Sequence, residues 1–290
     1  MRTSGISIKK LAVFTIIILC CTALPCFDLV SGADADTIAT KSGSGGTTEI
    51  QGVKLVSIPA GSFQMGQHNI AGPVHSVTLS AFEMSVYEIT QRQYMSVTGL
   101  SPSNFTGDGN LPVEKVSWFD AIKFCNALST KADFEKFYNE SSGACDFTKN
   151  GFRLPTEAEW EYACRAGSKT GYNLGGAESD LARAGWYSSN GNKKTHPAGE
   201  KMPNAWGLYD MHGNVWEWCN DWKGNYASGN QTNPTGIQTG SSRVIRGGSW
   251  DSAGHFAQDC RSANRNSRNP DVRSGTLGFR VVRRVSHQNN

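Results

Sequence analysis

Two carboxylates flank a glycine turn in residues 210–217, a spacing that suits a bound metal ion. The turn at Gly213 can present backbone carbonyls beside the side-chain oxygens. Carboxylate and carbonyl oxygens are hard ligands, which suit Ca²⁺ rather than zinc or iron. The sequence therefore predicts a structural calcium site made by Asp210, Gly213, Val215 and Glu217. The alternative is a tight turn whose acids accept backbone N–H groups.

Other residues that often carry chemistry lack the required spacing. No HxH, HxxxH or HExxH pattern occurs, which argues against a self-contained zinc or iron centre. Glu157, Glu159 and Glu161 are spaced like acid–base carboxylates, but they fall in the first turns of a predicted helix, where negative charge is favoured. We therefore interpret these three acids as helix-capping residues.

Three capping boxes predict the main helices, since each places an acid or Gln three residues after a Ser or Thr. The boxes begin at Thr90, Ser117 and Thr156. Alternating apolar residues predict strands over residues 53–58, from residue 63, and over residues 74–84. Beyond Gly167 the chain is rich in Gly, Asn and Trp without periodicity, which favours short strands and long ordered loops. One domain over residues 51–285 is expected.

Seven segments, in order along the chain, resemble the formylglycine-generating enzyme (sulfatase-modifying factor) family. They are residues 59–66, 88–94, 112–118, 153–162, 207–218, 246–250 and 277–280. The resemblance implies an α+β, C-type-lectin-like fold with short strands, three main helices and much ordered loop. It also implies structural calcium at the four positions named above.

The resemblance fails at the residues that bind copper. Formylglycine-generating enzymes oxidise a substrate cysteine with O₂ at copper held by two thiolates, which are soft ligands suited to Cu(I). Those cysteines follow the Gly-Gly-Ser-aromatic motif, here residues 247–250. The first position holds Ser252, and the second holds Ala257 or a neighbour. The chain is therefore identified as a divergent member that lacks the catalytic cysteine pair, and copper is not expected.

A ligand cleft is nevertheless expected, because Ser249 and Trp216 match positions that line the family's active-site cleft. We predict that the cleft is lined by Trp216, Ser249, Trp250, Ser252, His255 and Arg265. His255 is a lone imidazole, which is more often a surface or packing residue than a ligand.

Residues 246–280 are dense in Ser, Asn, Asp and Arg and are similar to the ligand-binding segments of lectin-fold variable proteins diversified by retroelements. An equally good interpretation is that the arginines only tie loops together through carbonyls and carboxylates. These arginines are Arg261, Arg265, Arg268 and Arg273.

These observations leave three functions open. The first is an exported, non-copper binding or accessory protein that takes a peptide, protein or small-molecule ligand in the cleft. The second is an exported tailoring oxidoreductase, similar to the oxidases that mature peptide siderophores. The third is a formylglycine-generating enzyme. Whether the protein is an enzyme is not decided by the sequence.

The N-terminus is typical of an export signal. Basic residues at positions 2, 9 and 10 precede an apolar run over residues 11–25, which is short for a membrane span. We predict a signal peptide over residues 1–33, a flexible linker over residues 34–50, and a periplasmic or extracellular location. A retained anchor, or lipidation at one of Cys20, Cys21 and Cys26, is the alternative.

Charge and cysteine content fit an exported domain. Lysine and arginine number 28 against 25 acids, so the net charge of +3 gives no reason to expect nucleic acid as a partner. Five cysteines follow the signal, which allows two disulfides and one free thiol. Spacing does not determine their connectivity. Our hypothesis pairs Cys125 with Cys145 and Cys164 with Cys260, and leaves Cys219 free.

Overall fold

A computed structural model describes residues 47–285, except for side chains 254–256. This range contains eleven short strands and four α-helices, which are joined by loops. The predicted signal peptide therefore lies outside the described residues. None of the helices within this range combines the length and hydrophobicity that a membrane crossing requires. The strands are β1 Thr47–Ile50, β2 Val53–Ile58, β3 Gly61–Gln67, β4 Ala71–Leu79, β5 Phe82–Ser85, β6 Trp216–Trp222, β7 Gln231–Thr232, β8 Arg243–Arg246, β9 Asn266–Arg268, β10 Leu277–Gly278 and β11 Val282–Arg284.

The strands form three small sheets. Their orders are β1-β2-β5-β11, β10-β6-β8-β9 and β3-β4-β7. In the second sheet, β10 runs parallel to β6 and places Leu277 opposite Trp216. This sheet therefore joins β9 and β10 of the C-terminal segment, residues 246–280, to β6 and β8. These two strands overlap the sequence motifs over residues 207–218 and 246–250.

Each of the three predicted helices begins at its capping box. The helices are α1 Gln91–Thr98, α2 Trp118–Lys131 and α3 Glu157–Arg165. In every case the cap hydroxyl accepts the N3 backbone N–H, and the N3 side chain accepts the cap N–H. On α2 the apolar face is fully buried and includes Ile122, Phe124 and Leu128.

The structure differs from the sequence predictions at three places. The last four residues of the predicted linker form β1, which pairs with β2. The single run predicted over 74–84 is two strands, because Ser80 and Ala81 interrupt it. A fourth helix, α4 Glu178–Ala184, was not predicted, because its N-cap is Ala177, which has no hydroxyl or amide to accept a cap hydrogen bond.

The three glutamates of α3 are buried among arginines. Glu159 completes the capping box by accepting the Thr156 N–H at 2.9 Å and also pairs with Arg153 at 2.6 Å through both oxygens. Glu161 is fully buried between Arg165, at 2.8 Å, and Arg246, at 2.6 Å. The capping interpretation therefore holds for Glu159, whereas Glu161 is held by a buried ion-pair network.

The predicted disulfides are absent from the structure. All five cysteines of the described residues are unpaired. Cys164 lies in the cluster around Trp160, and its Sγ is 3.5 Å from the Ser262 hydroxyl. Cys260 packs instead against Gly248, so the two sulfurs have separate environments.

We expect Glu161→Gln to lower the free energy of unfolding by about 3 to 5 kcal/mol, because it leaves the Arg246 guanidinium buried without its nearest charge. The matched control is Glu135→Gln, which breaks an ion pair to Lys149 whose Glu135 side chain is 52% exposed. Surface pairs contribute at most about 1 kcal/mol. Urea denaturation of both variants measures the difference, and equal losses would contradict a structural role for the buried network.

Candidate functional site

The turn after β8 carries three of the six predicted cleft residues, Ser249, Trp250 and Ser252. Gly247 and Gly248 have φ angles of +99° and +76°, which glycine adopts without strain. A Cβ at Gly248 would lie 2.5 Å from the Cys260 Sγ. The double glycine therefore lets the chain turn directly over the buried Cys260 thiol.

Ser252, at the first family thiolate position, is part of this turn and is only 4% exposed. Its N–H donates to the Ser249 carbonyl at 3.0 Å, and its Oγ accepts the Ser249 N–H at 3.1 Å. The Ser249 hydroxyl donates to Asp251 at 2.7 Å. Both serine hydroxyls thus close the turn, and neither can act as a thiolate ligand to a metal.

Trp250 gives the turn a partly exposed aromatic surface. Its indole N–H donates to the Gly275 carbonyl at 3.0 Å, and its ring meets Phe105 edge-on with centroids 5.6 Å apart. Trp216 is only 6% exposed and donates its backbone N–H to the Thr276 carbonyl at 2.8 Å. Segment 275–276 therefore fixes both tryptophans, but only Trp250 offers its ring to a ligand.

Arg265 lies at a different place from the turn. Its guanidinium donates to both Glu157 oxygens and to the Gly224 carbonyl, and it stacks 4.0 Å from the centre of the Tyr226 ring. It lines a cavity of about 500 Å³ that also contains Asp221. The predicted cleft residues are thus divided, with Arg265 in this cavity and Ser249, Trp250 and Ser252 on the turn. The side chain of His255 lies outside the described residues.

The other arginines of the C-terminal segment differ in their contacts. Arg273 pairs with Asp120 at 2.8 Å, and Arg261 lies over the Tyr172 ring, so these two tie loops to helices and to the core. Arg268 is exposed and donates to the adjacent Ser267 carbonyl. The loop-tying interpretation therefore accounts for Arg265 and Arg273, which bind carbonyls or carboxylates, whereas the contact of Arg261 is with an aromatic ring.

Three of the predicted calcium ligands, Asp210, Gly213 and Val215, lie in the segment that turns into β6, and Glu217 lies in β6 itself. Asp210 has a φ of +59°, and its Oδ2 accepts the Gly199 N–H at 2.7 Å. Its Oδ1 is buried and has no hydrogen-bond partner within the described residues. A Cβ at Gly213 would lie 2.1 Å from the Trp186 carbonyl oxygen, so this close turn requires glycine.

Glu217 is engaged by protein donors. Its oxygens accept two N–H groups of Arg280 at 2.7 and 2.8 Å and the Trp160 indole N–H at 2.8 Å. Between residues 47 and 285, no group of three His, Cys, Asp or Glu side chains is arranged to hold a metal ion. A calcium ion here would therefore depend on the carbonyls of Gly213 and Val215 as well as on the two acids.

Glu88 is a third carboxylate at this turn, and the sequence analysis assigned it no role. It is fully buried and accepts the Asn214 side-chain amide at 2.7 Å and the Val215 N–H at 3.1 Å. Burial, then Asp210 and Glu217, raise the pKa of Glu88 well above its usual range. Burial also raises the pKa of Asp210 to about 6. Raised pKa values mean that these buried carboxyls hold protons readily, and a divalent cation at this turn would displace the protons and stabilise the ionised acids.

The residues at the family copper position do not fit copper. Ser252 supplies a hydroxyl that is used in the turn, and Ala257 supplies only a backbone carbonyl, which accepts the Tyr172 hydroxyl at 3.1 Å. Burial raises the pKa of the Cys260 thiol, and it raises that of Cys164 to about 12. A copper(I) site needs ionised soft ligands, which neither position provides.

Comparison with known proteins identifies the family. The sequence matches the sulfatase-modifying factor enzyme 1-like domain over residues 44–285. The chain belongs to this family. One relative is the chaperone protein LppX of Paenibacillus barcinonensis, 32% identical over 265 residues that cover 79% of this chain and 89% of the relative. Another is the formylglycine-generating enzyme of Streptomyces coelicolor, 36% identical over 62% of this chain and 55% of that enzyme.

Solved structures of family-like proteins share the fold. Treponema denticola variable protein 1 superposes with a TM-score of 0.76 at 35% identity, covering 82% of this chain and 98% of that chain. PvdO from Pseudomonas aeruginosa gives a TM-score of 0.71 at 27% identity, covering 84% and 100%. The family membership and the α+β, C-type-lectin-like fold predicted from sequence are therefore confirmed.

The Asp221 carboxyl of the 500 Å³ cavity predicts a pH dependence. Burial, then the charge of Glu157, raise the pKa of Asp221 from 3.8 to about 7. Because the folded state holds this proton more tightly than the unfolded state, the stability that Asp221 contributes is lost as pH rises from about 4 to 7. A shift of this size corresponds to at most about 4 kcal/mol.

We expect Asp221→Asn to remove this loss and to be more stable than the parent at pH 8. The Asn side chain can still accept the Glu157 N–H that Asp221 accepts at 2.9 Å. Urea unfolding at pH 5 and pH 8 tests this, with the exposed Asp271→Asn as control. A parent-to-variant difference that does not change between the two pH values would refute the assignment.

Proposed function

We propose that the protein is an exported ligand-binding or accessory member of the family, whose ligand contacts the surface around Trp250. The observation that carries this proposal is Ser252, which fills the first thiolate position and whose hydroxyl accepts the Ser249 N–H at 3.1 Å. The fold around the turn is retained, while the soft ligands for oxygen chemistry are missing. Such a scaffold can still bind a partner.

The remaining thiols support a non-copper role. Burial raises the pKa of Cys125, Cys219 and Cys260 above that of an ordinary thiol. Four of the five cysteines in the described residues are buried, and only Cys145 is exposed. Neutral, enclosed thiols are poor ligands for Cu(I), because the thiolate is the species that binds.

The exposed side chains near the turn suit adaptable recognition. The half-buried Trp250 and Phe105 supply a rigid aromatic surface, and each has an exposed polar neighbour in sequence, Asp251 and Asn104 respectively. Rigid aromatic residues beside short polar side chains are the composition that antibody loops use for binding. The likeness to Treponema denticola variable protein 1 supports the same interpretation.

The partner that we favour is a peptide or protein, with a small molecule as the second class. The relative from Paenibacillus barcinonensis is named a chaperone protein, which supports an accessory role toward another protein. The alternative, an exported tailoring oxidoreductase, rests on the likeness to formylglycine-generating enzymes such as that of Streptomyces coelicolor. It would require a redox centre other than a thiolate pair at positions 252 and 257.

Calcium is proposed as a structural cofactor at Asp210, Gly213, Val215 and Glu217. Support comes from the unpartnered Asp210 Oδ1 and from the surplus of buried carboxylates around Arg280. When bound, the ion would neutralise this charge and hold the turn that precedes β6. Asp210 and Glu217 would supply carboxylate oxygens, and the other two residues would supply carbonyls.

Calcium should therefore raise the thermal midpoint relative to protein in chelator, by an amount equivalent to about 2.7 kcal/mol at a hundredfold excess over the dissociation constant. Asp210→Ala, which removes the side-chain oxygens, should lose most of this response, whereas the exposed Asp251→Ala should keep it. Differential scanning calorimetry with and without chelator is the measurement. A midpoint that is the same in both buffers for the parent protein would remove the site.

The functional proposal predicts no O₂ consumption with a sulfatase-type cysteine peptide and Cu(I), where a formylglycine-generating enzyme serves as positive control.

The proposal further predicts that the protein binds to members of a peptide and glycan array. These signals should fall at least about tenfold for Trp250→Ala, in line with loss of an aromatic anchor. Met202→Ala, an exposed apolar residue of another loop, is the control. Turnover of the peptide, or array signals unaffected by Trp250→Ala, would overturn the proposal.

A further inference from the structure

The buried guanidinium of Arg243 is unlike the other buried arginines. Arg153, Arg165, Arg246, Arg265 and Arg280 each have a carboxylate oxygen within 2.8 Å. Arg243 is only 6% exposed, and no carboxylate in residues 47–285 lies within 4 Å of it. Asp221 is a carboxylate whose charge acts on Arg243, but only from beyond 4 Å. A buried charge without a counter-charge in contact is costly, so this site favours an anion.

Two tryptophans hold Arg243 in place. Its guanidinium carbon lies 3.7 Å from the centre of the Trp118 ring and 3.5 Å from that of Trp222. One nitrogen, Nη1, donates to the Asn220 carbonyl at 2.6 Å. Because both faces of the guanidinium are covered by rings, only its edge can meet a ligand. Nε is buried and has no acceptor among the described residues.

The edge of Arg243 faces a cavity of about 530 Å³. Gly143 lies beside this edge: a Cβ there would lie 2.9 Å from the Trp118 ring and 3.6 Å from Nη2 of Arg243. The cavity lining contains Arg243 as its one charged residue and no carboxylate. Its remaining polar groups include the hydroxyls of Ser142 and Thr239 and the amide of Gln238, and Trp222 and Ile237 add apolar surface.

We infer that this cavity binds a small organic anion, whose carboxylate, sulfate or phosphate oxygens meet the edge of Arg243 and whose apolar part lies against Trp222. A guanidinium edge matches such oxyanions in both shape and charge. The site is separate from the turn at Trp250 and from the proposed calcium ligands. The protein would therefore have a second ligand, whose chemical class is independent of the ligand proposed at Trp250.

Cys145 provides a reporter that needs no mutation. Its thiol lines the same cavity, is exposed, and accepts the Asn220 side-chain amide at 3.7 Å. Iodoacetate is an oxyanion and iodoacetamide is its neutral counterpart, and both alkylate thiols. The ratio of their rates at Cys145 therefore measures how strongly the cavity concentrates anions. Peptide mapping by mass spectrometry separates Cys145 from the other cysteines.

We expect this ratio to exceed that of a free cysteine peptide by about tenfold or more, since a cationic, partly enclosed site raises the local anion concentration. Inorganic sulfate should slow the iodoacetate reaction in a saturable way that chloride at equal ionic strength does not reproduce. Gln238→Glu, an exposed position that leaves the tryptophan stack in place, should return the ratio to the peptide value. Gln238→Ala should keep the ratio high. A parent ratio equal to that of the peptide, or one unchanged by Gln238→Glu, would overturn the inference.

Discussion

The ion pair between Arg246 and Glu161 connects α3 and β8 to the loop that follows Cys260. Both side chains are fully buried, and the guanidinium also donates to the Ser262 carbonyl at 2.9 Å and to that of Asn264. One residue therefore joins α3, the end of β8 and the start of the C-terminal segment. Because the double-glycine turn follows Arg246 directly, its position depends on this charge being satisfied.

The same constraint explains why the turn can survive a change in its chemistry. Gly248 packs on Cys260, and Ser252 closes the turn through backbone groups, so neither contact requires a thiolate. What the network preserves is the path of the chain and the partly exposed Trp250. In a fold held in this way, the metal-binding side chains of the turn can be replaced while its backbone keeps the same path.

How far the sequence could predict this structure depends on the range of each interaction. The boxes at Thr90, Ser117 and Thr156 are local, because each helix start is decided within four residues, and all three were predicted. The pairing of Arg265 with Glu157 joins residues 108 positions apart, so its place outside the cleft had no local signal. The signal for Glu88 was present in the motif over residues 88–94. Its role appears only when the Asn214 amide is brought to it from 126 positions away.

Buried charge that the protein leaves unbalanced is the feature that argues for bound ligands. At the turn before β6, three acids share one guanidinium, and burial keeps the pKa of Asp210 and Glu88 above normal. At the far end of β6, Asn220 and Trp222 help to enclose Arg243, which is cationic at neutral pH although burial lowers its pKa to about 10. The two surpluses have opposite sign and lie near the ends of one strand, so they cannot neutralise each other through contact. We therefore propose that a cation compensates the first site and that a small organic anion compensates the second.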